Sequence, residues 1–238
     1  MKLKADLHIH TREDPKERIT YNAEELISLA SDKGFDVISI TNHNIITFND
    51  HLRDYAEKKG ILLIPGMEAS IKGRHVLLIN WDDNGKEIKT FDEIRRYKNC
   101  KNLVIAPHPY YPGAVSLKSR LVKHIDIFDA VEYSHFYLKW INFNSKGMRK
   151  AAEKGLPLIG TSDAHAPWQL ETTYTFIHAE KKTVESVVDA VKAQKVEIIT
   201  IPLKLRQTSK FCLRALRSLT LCWFEHFKFN CNGNGKER

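Results

Sequence analysis

The stretch ADLHIH, Ala5 to His10, sets an aspartate and two histidines on alternating positions. In an extended strand successive side chains point to opposite faces, so Asp6, His8 and His10 are expected to project together. Ala5, Leu7 and Ile9 then project the other way, into apolar packing. A plain core strand has no use for three polar groups on one face. They bind something, or they satisfy one another at a sheet edge, and the rest of the chain discriminates.

Short β-branched runs alternate with amphipathic stretches along most of the sequence. Residues 4–9, 36–41, 61–65, 75–80, 102–107, 129–133 and 156–161 read as buried strands, with 174–178 and 197–202 as weaker closing strands. Between them, AEELISLASDKG (23–34) carries a helical stripe of Leu26, Ile27, Leu29 and Ala30 and stops at Gly34. Residues 49–60, 143–155 and 184–195 repeat the device. Strand, helix and strand again is the pattern of βα units with a mostly parallel sheet, and seven or more such units predict a closed α/β barrel. Neither a G-x-G-x-x-G nor a Walker glycine pattern follows any strand, which argues against a dinucleotide or P-loop site.

The 238 residues suit one α/β barrel with a sizeable core. No apolar run approaches the ~20 residues of a membrane span, and MKLKADLHIH lacks the apolar core of a secretion signal. Four cysteines without CxxC spacing fit neither a zinc ribbon nor a disulfide framework, so a reducing cytoplasm is expected. The net charge of +8 is uneven: from Pro202 on, eight Lys/Arg face only Glu225 and Glu237, leaving +2 for residues 1–201. The basic character belongs to an appendage, expected as an amphipathic helix over 202–229 followed by a disordered tail at 230–238. Packing on the barrel exterior is the expected use of that segment, with a membrane surface, nucleic acid or a partner protein as alternatives.

Polar residues recur where strands end. After the first strand, TNHN supplies His43, GMEAS supplies Glu68, the fourth strand begins at His75, PHP supplies His108, and SDAH supplies Asp163 and His165. Glu132 and His135 accompany the sixth strand. In a β/α barrel the strand C-termini open onto one face, so these groups are expected to converge there. Imidazole and carboxylate suit Zn, Mn and Fe, and the number of groups exceeds the need of one ion. Two or three divalent ions sharing a carboxylate are expected, a kind of centre that serves hydrolysis. His51, His124, His178 and His226 fall outside this pattern and read as satisfied core groups, His51 on an amphipathic stretch, His124 within a charged segment and His226 in the tail.

The ordered motifs HIH, TNH, GMEA, PHP and SDAH resemble the PHP superfamily of metal-dependent phosphoesterases, named for polymerase and histidinol phosphatase. The resemblance covers residues 3–201 and implies a distorted (β/α)7 TIM-like barrel with a trinuclear site. It implies His8, His10 and Asp163 as ligands of one metal, with Glu68 bridging to a second held by His75 and His108. It implies His43 and His165 as ligands of a third, and Asp6 as the carboxylate that orients a histidine. Where the family continues HTxxSDG, this chain reads HTREDP, which places Pro15 at the expected aspartate and nominates Asp14, with Glu13 its neighbour. Asn42 stands where the family has aspartate, and Tyr110 and Tyr111 stand where related sequences have an arginine for phosphate. Arg12 and Tyr110 are the candidate substrate contacts, with Arg74 and Lys139 as further cations, and His135 is the candidate proton donor.

The expected activity is hydrolysis of a phosphate ester (a small phosphomonoester, nucleotide or short oligonucleotide) by hydroxide generated at the metal centre. A TatD-like nuclease or amidohydrolase, and a metal-stabilised barrel tethered through its basic tail, are the competing readings.

Overall fold

Lys2–Ile9 forms the first strand, β1, in the computed structural model, which describes residues 1–81 and 88–204. The remaining strands are β2 (Val37–Ile40), β3 (Leu62–Ile71), β4 (Arg74–Ile79), β5 (Leu103–Ala106), β6 (Ala130–Ser134), β7 (Leu158–Thr161), β8 (Thr173–His178) and β9 (Val196–Thr200). They form a single sheet in the order β7-β6-β5-β4-β3-β2-β1-β8-β9, curled into a nearly closed TIM-like barrel. Six helices are described: α1 (Ala23–Asp32), α2 (Asp50–Lys58), α3 (Phe91–Tyr97), α4 (Ser119–Lys123), α5 (Asn144–Glu153) and α6 (Val184–Lys192). Chain contacts separate Met1–Pro202 from Leu203–Arg238, and the barrel lies in the first unit. The expected basic appendage and tail, with His226, lie from residue 205 on outside the described residues.

The α/β barrel expected from the strand–helix alternation is present, with two local departures from a parallel sheet. β4 runs antiparallel to both β3 and β5. It returns from β3 through Lys72–Gly73, both at positive φ (47° and 72°), the backbone demanded by a two-residue hairpin turn. Because β4 is reversed, its beginning lies beside the end of β3, and this is what carries His75 to the rim. β8 is antiparallel to β1, and β9 to β8. The seam between β7 and β8 is bridged by a side chain: Thr175 Oγ1 accepts the N–H of Gly160 and donates to its carbonyl, both at 2.8 Å.

Alternate residues of the strands fill the barrel, including Leu3, Ala5, Leu7, Val37, Ile64, Leu77, Ile79, Ile105 and Ile159. The opposite residues pack beneath the helices: Ile9, Ile38, Ile40 and Leu63 meet Leu26, Ile27 and Ala30 of α1. α1 starts with a capping box, Asn22 Oδ1 accepting the Glu25 N–H (2.9 Å) and Glu25 Oε2 accepting that of Asn22 (2.8 Å).

The opening strand is less regular than its alternation predicts. Asp6 pairs with Ile38 but Ile9 with Ile40, so β1 holds one residue more than β2 between these points. An extra residue reverses the two faces beyond it. His8 and His10 therefore turn to the metal-type cluster, while Asp6 turns to the seam with β7 and accepts backbone N–H groups of His8 and Ser162 at 3.2 Å. The expectation that all three share one face is corrected by this bulge.

Candidate metal centre

Two parallel bridges assemble the rim. Ile9 pairs with Ala164, and His43 with Glu68, so the SDAH turn lies along the end of β1 and the TNH turn along β3. His10 N–H and the Tyr21 hydroxyl both donate to the Ala164 carbonyl at 3.0 Å. Two of the delivered residues sit in the left-handed region without being glycine, Asp163 at φ 45° and His108 at φ 27°. Such backbone is costly and clusters at functional sites.

Glu68 is the hub, almost wholly buried. Its Oε1 lies 2.7 Å from His75 Nδ1, 3.1 Å from His108 Nε2 and 3.6 Å from His8 Nε2. Its Oε2 lies 3.1 Å from His43 Nε2 and 3.5 Å from His10 Nε2. Asp163 Oδ1 stands 3.3 Å from Nε2 of both His8 and His10. His165 stacks on His10, with ring centroids 4.4 Å apart. Donor atoms of His8, His10, Asp14, His43, Glu68, His75, His108, Asp163 and His165 form five overlapping triads, the atoms of each within 4.8 Å of one another. These are the nine residues nominated as ligands from the sequence.

The chemistry of the donor set fits cations. His8 Nδ1 meets Glu132 Oε1 at 2.7 Å, and His10 Nδ1 meets Asp14 Oδ2 at 2.8 Å. Each carboxylate fixes the proton on Nδ1, so both Nε2 atoms carry lone pairs, and these face each other at 3.2 Å in a fully buried position. Two buried acceptors aimed at each other, beside two carboxylates, are relieved by a positive charge between them. His75 Nδ1, close to Glu68 but out of hydrogen-bond line, is likewise without a hydrogen-bond partner among the described residues.

In the absence of ions, protons take that part. Burial opposes charge on His8, but Asp163, Glu132 and Glu68 outweigh it and hold its pKa well above the ordinary value. His43, despite its burial, is raised to about 10 by hydrogen bonds to Asp14 and Glu68. Glu68 and Asp163, also against burial, are held well below the usual carboxylate range by the surrounding imidazoles.

Several expected roles change. Asp14, not Glu13, enters the cluster: Glu13 Oε1 instead accepts the N–H of Ala23 at the start of α1 (3.2 Å). Asp14 Oδ2 accepts from Nδ1 of His10 and of His43, both at 2.8 Å, so it grips the outer side of two rings and leaves their Nε2 atoms facing inward. The histidine-orienting carboxylate for His8 is Glu132 rather than Asp6; Glu132 also accepts the Thr161 hydroxyl and the backbone N–H of His108. Burial pushes Asp6 up to about 7, a buttress between strands and not a partner of any ring.

His135 does not present Nε2 as a proton donor. Gln169 Oε1 accepts the His165 N–H (2.9 Å), which turns the Gln169 amide nitrogen toward His135 Nε2 at 3.1 Å. His135 Nε2 is thus an acceptor, and burial lowers its pKa to about 4, leaving it neutral near pH 7. Arg12 is engaged by the Thr20 carbonyl and Glu25 (3.4 Å), away from the centre, and Arg74 by the carbonyls of Ala114 and Ser116. Tyr110 packs under Lys146, whose Nζ lies 4.5 Å from the ring centre, whereas Tyr111 is the tyrosine that meets His108, at 6.2 Å between rings.

Sequence reasoning missed Lys16, Asn42's partners and Gln169. Lys16 Nζ reaches Ser70 Oγ at 2.8 Å, and Ser70 is two residues along β3 from Glu68 and so on the same face. Asn42 accepts the Thr11 N–H and donates to the hydroxyls of Thr11 and Thr47, each at 2.8 Å. An aspartate cannot donate those two hydrogen bonds. Nothing in the local sequence marks the contacts of Lys16 with Ser70, Asn42 with Thr11 or Gln169 with His135, whose partners are each more than thirty residues apart.

A family model described as PHP-associated matches residues 142–196. An uncharacterized protein of Methanocaldococcus jannaschii is 29% identical over 141 residues, which cover 54% of this chain and 82% of that protein. A two-domain protein of Bacteroides vulgatus, described as containing a predicted PHP-like metal-dependent phosphoesterase, superposes with TM-score 0.63 at 22% identity. The match covers 84% of this chain and 65% of that one. Endonuclease Q, solved with a 27-mer duplex bearing an abasic lesion at its active site, superposes with TM-score 0.54 at 18% identity over 81% of this chain and 57% of that one. The chain thus spans less than two thirds of either solved relative. Among the described residues no helix is long and apolar enough to cross a membrane.

Proposed function

We propose that this chain is a member of the PHP superfamily that hydrolyses phosphate esters at a centre of two or three divalent ions (Mn, Fe or Zn); the PHP-associated family model over residues 142–196 and the fold it shares with a PHP-like phosphoesterase and with endonuclease Q support the reading. The observation that carries the reading is the pair of inward Nε2 atoms of His8 and His10, 3.2 Å apart and flanked by Asp163 and Glu68. His8, His10 and Asp163 would hold one ion, Glu68 would bridge it to another at His75 and His108, and His43 with His165 would hold a third. Ions bound there would supply Lewis acidity toward a phosphoryl group and lower the pKa of water at the site.

The protein's own groups supply the rest. Asp14 and Glu132 hold His10, His43 and His8 in register through Nδ1, so the inward faces need no rearrangement when substrate arrives. Lys16, Ser70 and Asn44 form a polar corner above Glu68, with Asn44 Nδ2 3.3 Å from the Ser70 hydroxyl. This corner would meet the non-bridging oxygens of a phosphate, taking the role expected of Arg12. The substrate range this supports is a phosphomonoester, a nucleotide or an oligonucleotide.

The test is metal analysis combined with turnover of p-nitrophenyl phosphate, bis(p-nitrophenyl) phosphate and a labelled oligonucleotide, before and after chelation. Two or more equivalents of metal and chelator-sensitive release of phosphate or nucleotide are expected. Turnover confined to an amide or lactone substrate overturns the phosphoester reading.

A further inference from the structure

The hairpin between β6 and α5 exposes its most apolar residues. Leu138 and Ile141 exchange both backbone hydrogen bonds (2.9 and 3.2 Å), which puts Lys139 and Trp140 at the tip of a two-residue turn. Trp140 is 71% exposed and Ile141 47%, with Phe143 at 37% just behind them. Exposed apolar side chains clustered in this way, rather than scattered singly, mark an interaction surface.

The base of this loop is firmly held, so the exposure is not slack. Asn142 Nδ2 donates to the Tyr133 hydroxyl at 2.9 Å, and Tyr137, buried, accepts from Thr200 at 3.1 Å. Asn144 accepts the Ser134 N–H and donates to its carbonyl, at 3.0 and 2.9 Å, pairing with β6 as another strand would. The Tyr111 hydroxyl donates to the Phe136 carbonyl.

The same loop is linked to the candidate metal centre by edge-on and tilted rings. His108 lies 6.2 Å from Tyr111, and Tyr111 lies 5.4 Å from Phe143. At its other side His135 meets Gln169, whose neighbour Trp168 is 38% exposed. Between Glu132 and Glu153 the sequence holds Lys139, Lys146, Arg149 and Lys150 and not one acidic residue. Lys150 is tied to Glu153 (2.6 Å), while Lys139, Lys146 and Arg149 are exposed.

We infer that this rim is a stacking platform for the bases of single-stranded nucleic acid, with Trp140 and Phe143 taking base faces and Lys139, Lys146 and Arg149 facing phosphates. Aromatic faces interleaved with cations, on a stretch that holds no acid between Glu132 and Glu153, match a polyanion that carries a π-face on every unit. The two ring-to-ring steps set Phe143 a few nucleotides from the centre, at the ~3.4 Å per nucleotide of stacked strand. The assignment rests on the phosphoester reading for its choice of polyanion, and it names single strands as the substrate class.

Binding of a fluorescent phosphorothioate oligothymidylate to the full chain, read by anisotropy, tests it apart from catalysis. The control is an abasic deoxyribose-phosphate chain of equal length, which has the charges without the bases. The intact protein is expected to prefer the thymidylate about tenfold or more, with quenching of tryptophan fluorescence. Trp140→Ala and Phe143→Ala should each remove most of that preference, and Trp140→Phe should keep it. Equal affinity for both chains, or a preference untouched by both alanine substitutions, overturns the platform. Absence of any phosphoesterase turnover, with the base preference intact, instead defeats the hydrolytic reading and leaves the platform standing.

Discussion

Glu132 Oε1 lies 2.7 Å from Nδ1 of His8, and the other carboxylate oxygen accepts the backbone N–H of His108. One buried side chain thereby sets the tautomer of one inward-facing imidazole and the backbone position of another. Glu132→Gln keeps the shape but presents a weaker acceptor, and Glu132→Ala removes it. Metal affinity should fall about 10–100-fold in the alanine variant and less in the glutamine variant. Isothermal titration of both variants checks this ranking, and unchanged affinity in Glu132→Ala would refute it.

Asp14 grips two rings at once, and its placement predicts an orienting part. Asp14→Asn can accept from only one of the two Nδ1–H groups well. Metal stoichiometry should remain that of the intact protein while affinity falls about tenfold or more. Loss of a whole equivalent would identify Asp14 as a direct ligand.

His10 and Asp163 each take part in more than one of the donor triads. His10→Ala and Asp163→Asn should therefore abolish turnover and lower the bound metal by at least one equivalent. Full turnover in either variant would remove the centre from the reaction.

The pH dependence has a definite sign. His43 is raised to about 10 from 6.5, so its paired, protonated form stabilises the metal-free protein fully below about 6.5. That contribution is lost as pH rises through about 10. Ions must displace the same protons, so metal affinity should move the opposite way, tightening as pH rises from 6 toward 10. Calorimetry in buffers of different ionisation enthalpy should show proton release on binding; its absence would mean the imidazoles are already neutral.

Gly160 marks the seam between β7 and β8. A Cβ there would lie 2.6 Å from Ile198 Cγ2 and 2.9 Å from the Tyr174 carbonyl oxygen. The second contact is backbone, so relief requires shifting a strand. Gly160→Ala should cost about 1–3 kcal/mol, lowering Tm by roughly 3–10 °C. Gly113→Ala, where no atom lies within 4 Å, is the control. A thermal melt of the two variants that coincides would refute the close approach.

The strands and four of the helices were legible because their signals are local: a short apolar run such as LVIA in β5 and a 3.6-residue stripe in α1 need no distant partner. α3 and α4 escaped, being only seven and five residues long. The ligand-type residues were legible for a similar reason, since histidine and carboxylate at successive strand ends have one common destination in a barrel.

What the amino-acid sequence determined by itself is thus the alternation of strand and helix and the stock of imidazoles and carboxylates at one rim. Only the tertiary structure decided what each of them does. A one-residue bulge after Asp6 turned ADLHIH over, so that the aspartate left the face of His8 and His10. The reversal of β4 brought His75 in from the start of a strand, and Glu132, 124 positions from His8, took the orienting part. Bulges, strand sense and the partner of a ring nitrogen depend on chains that meet only after folding. Local periodicity carries no trace of them.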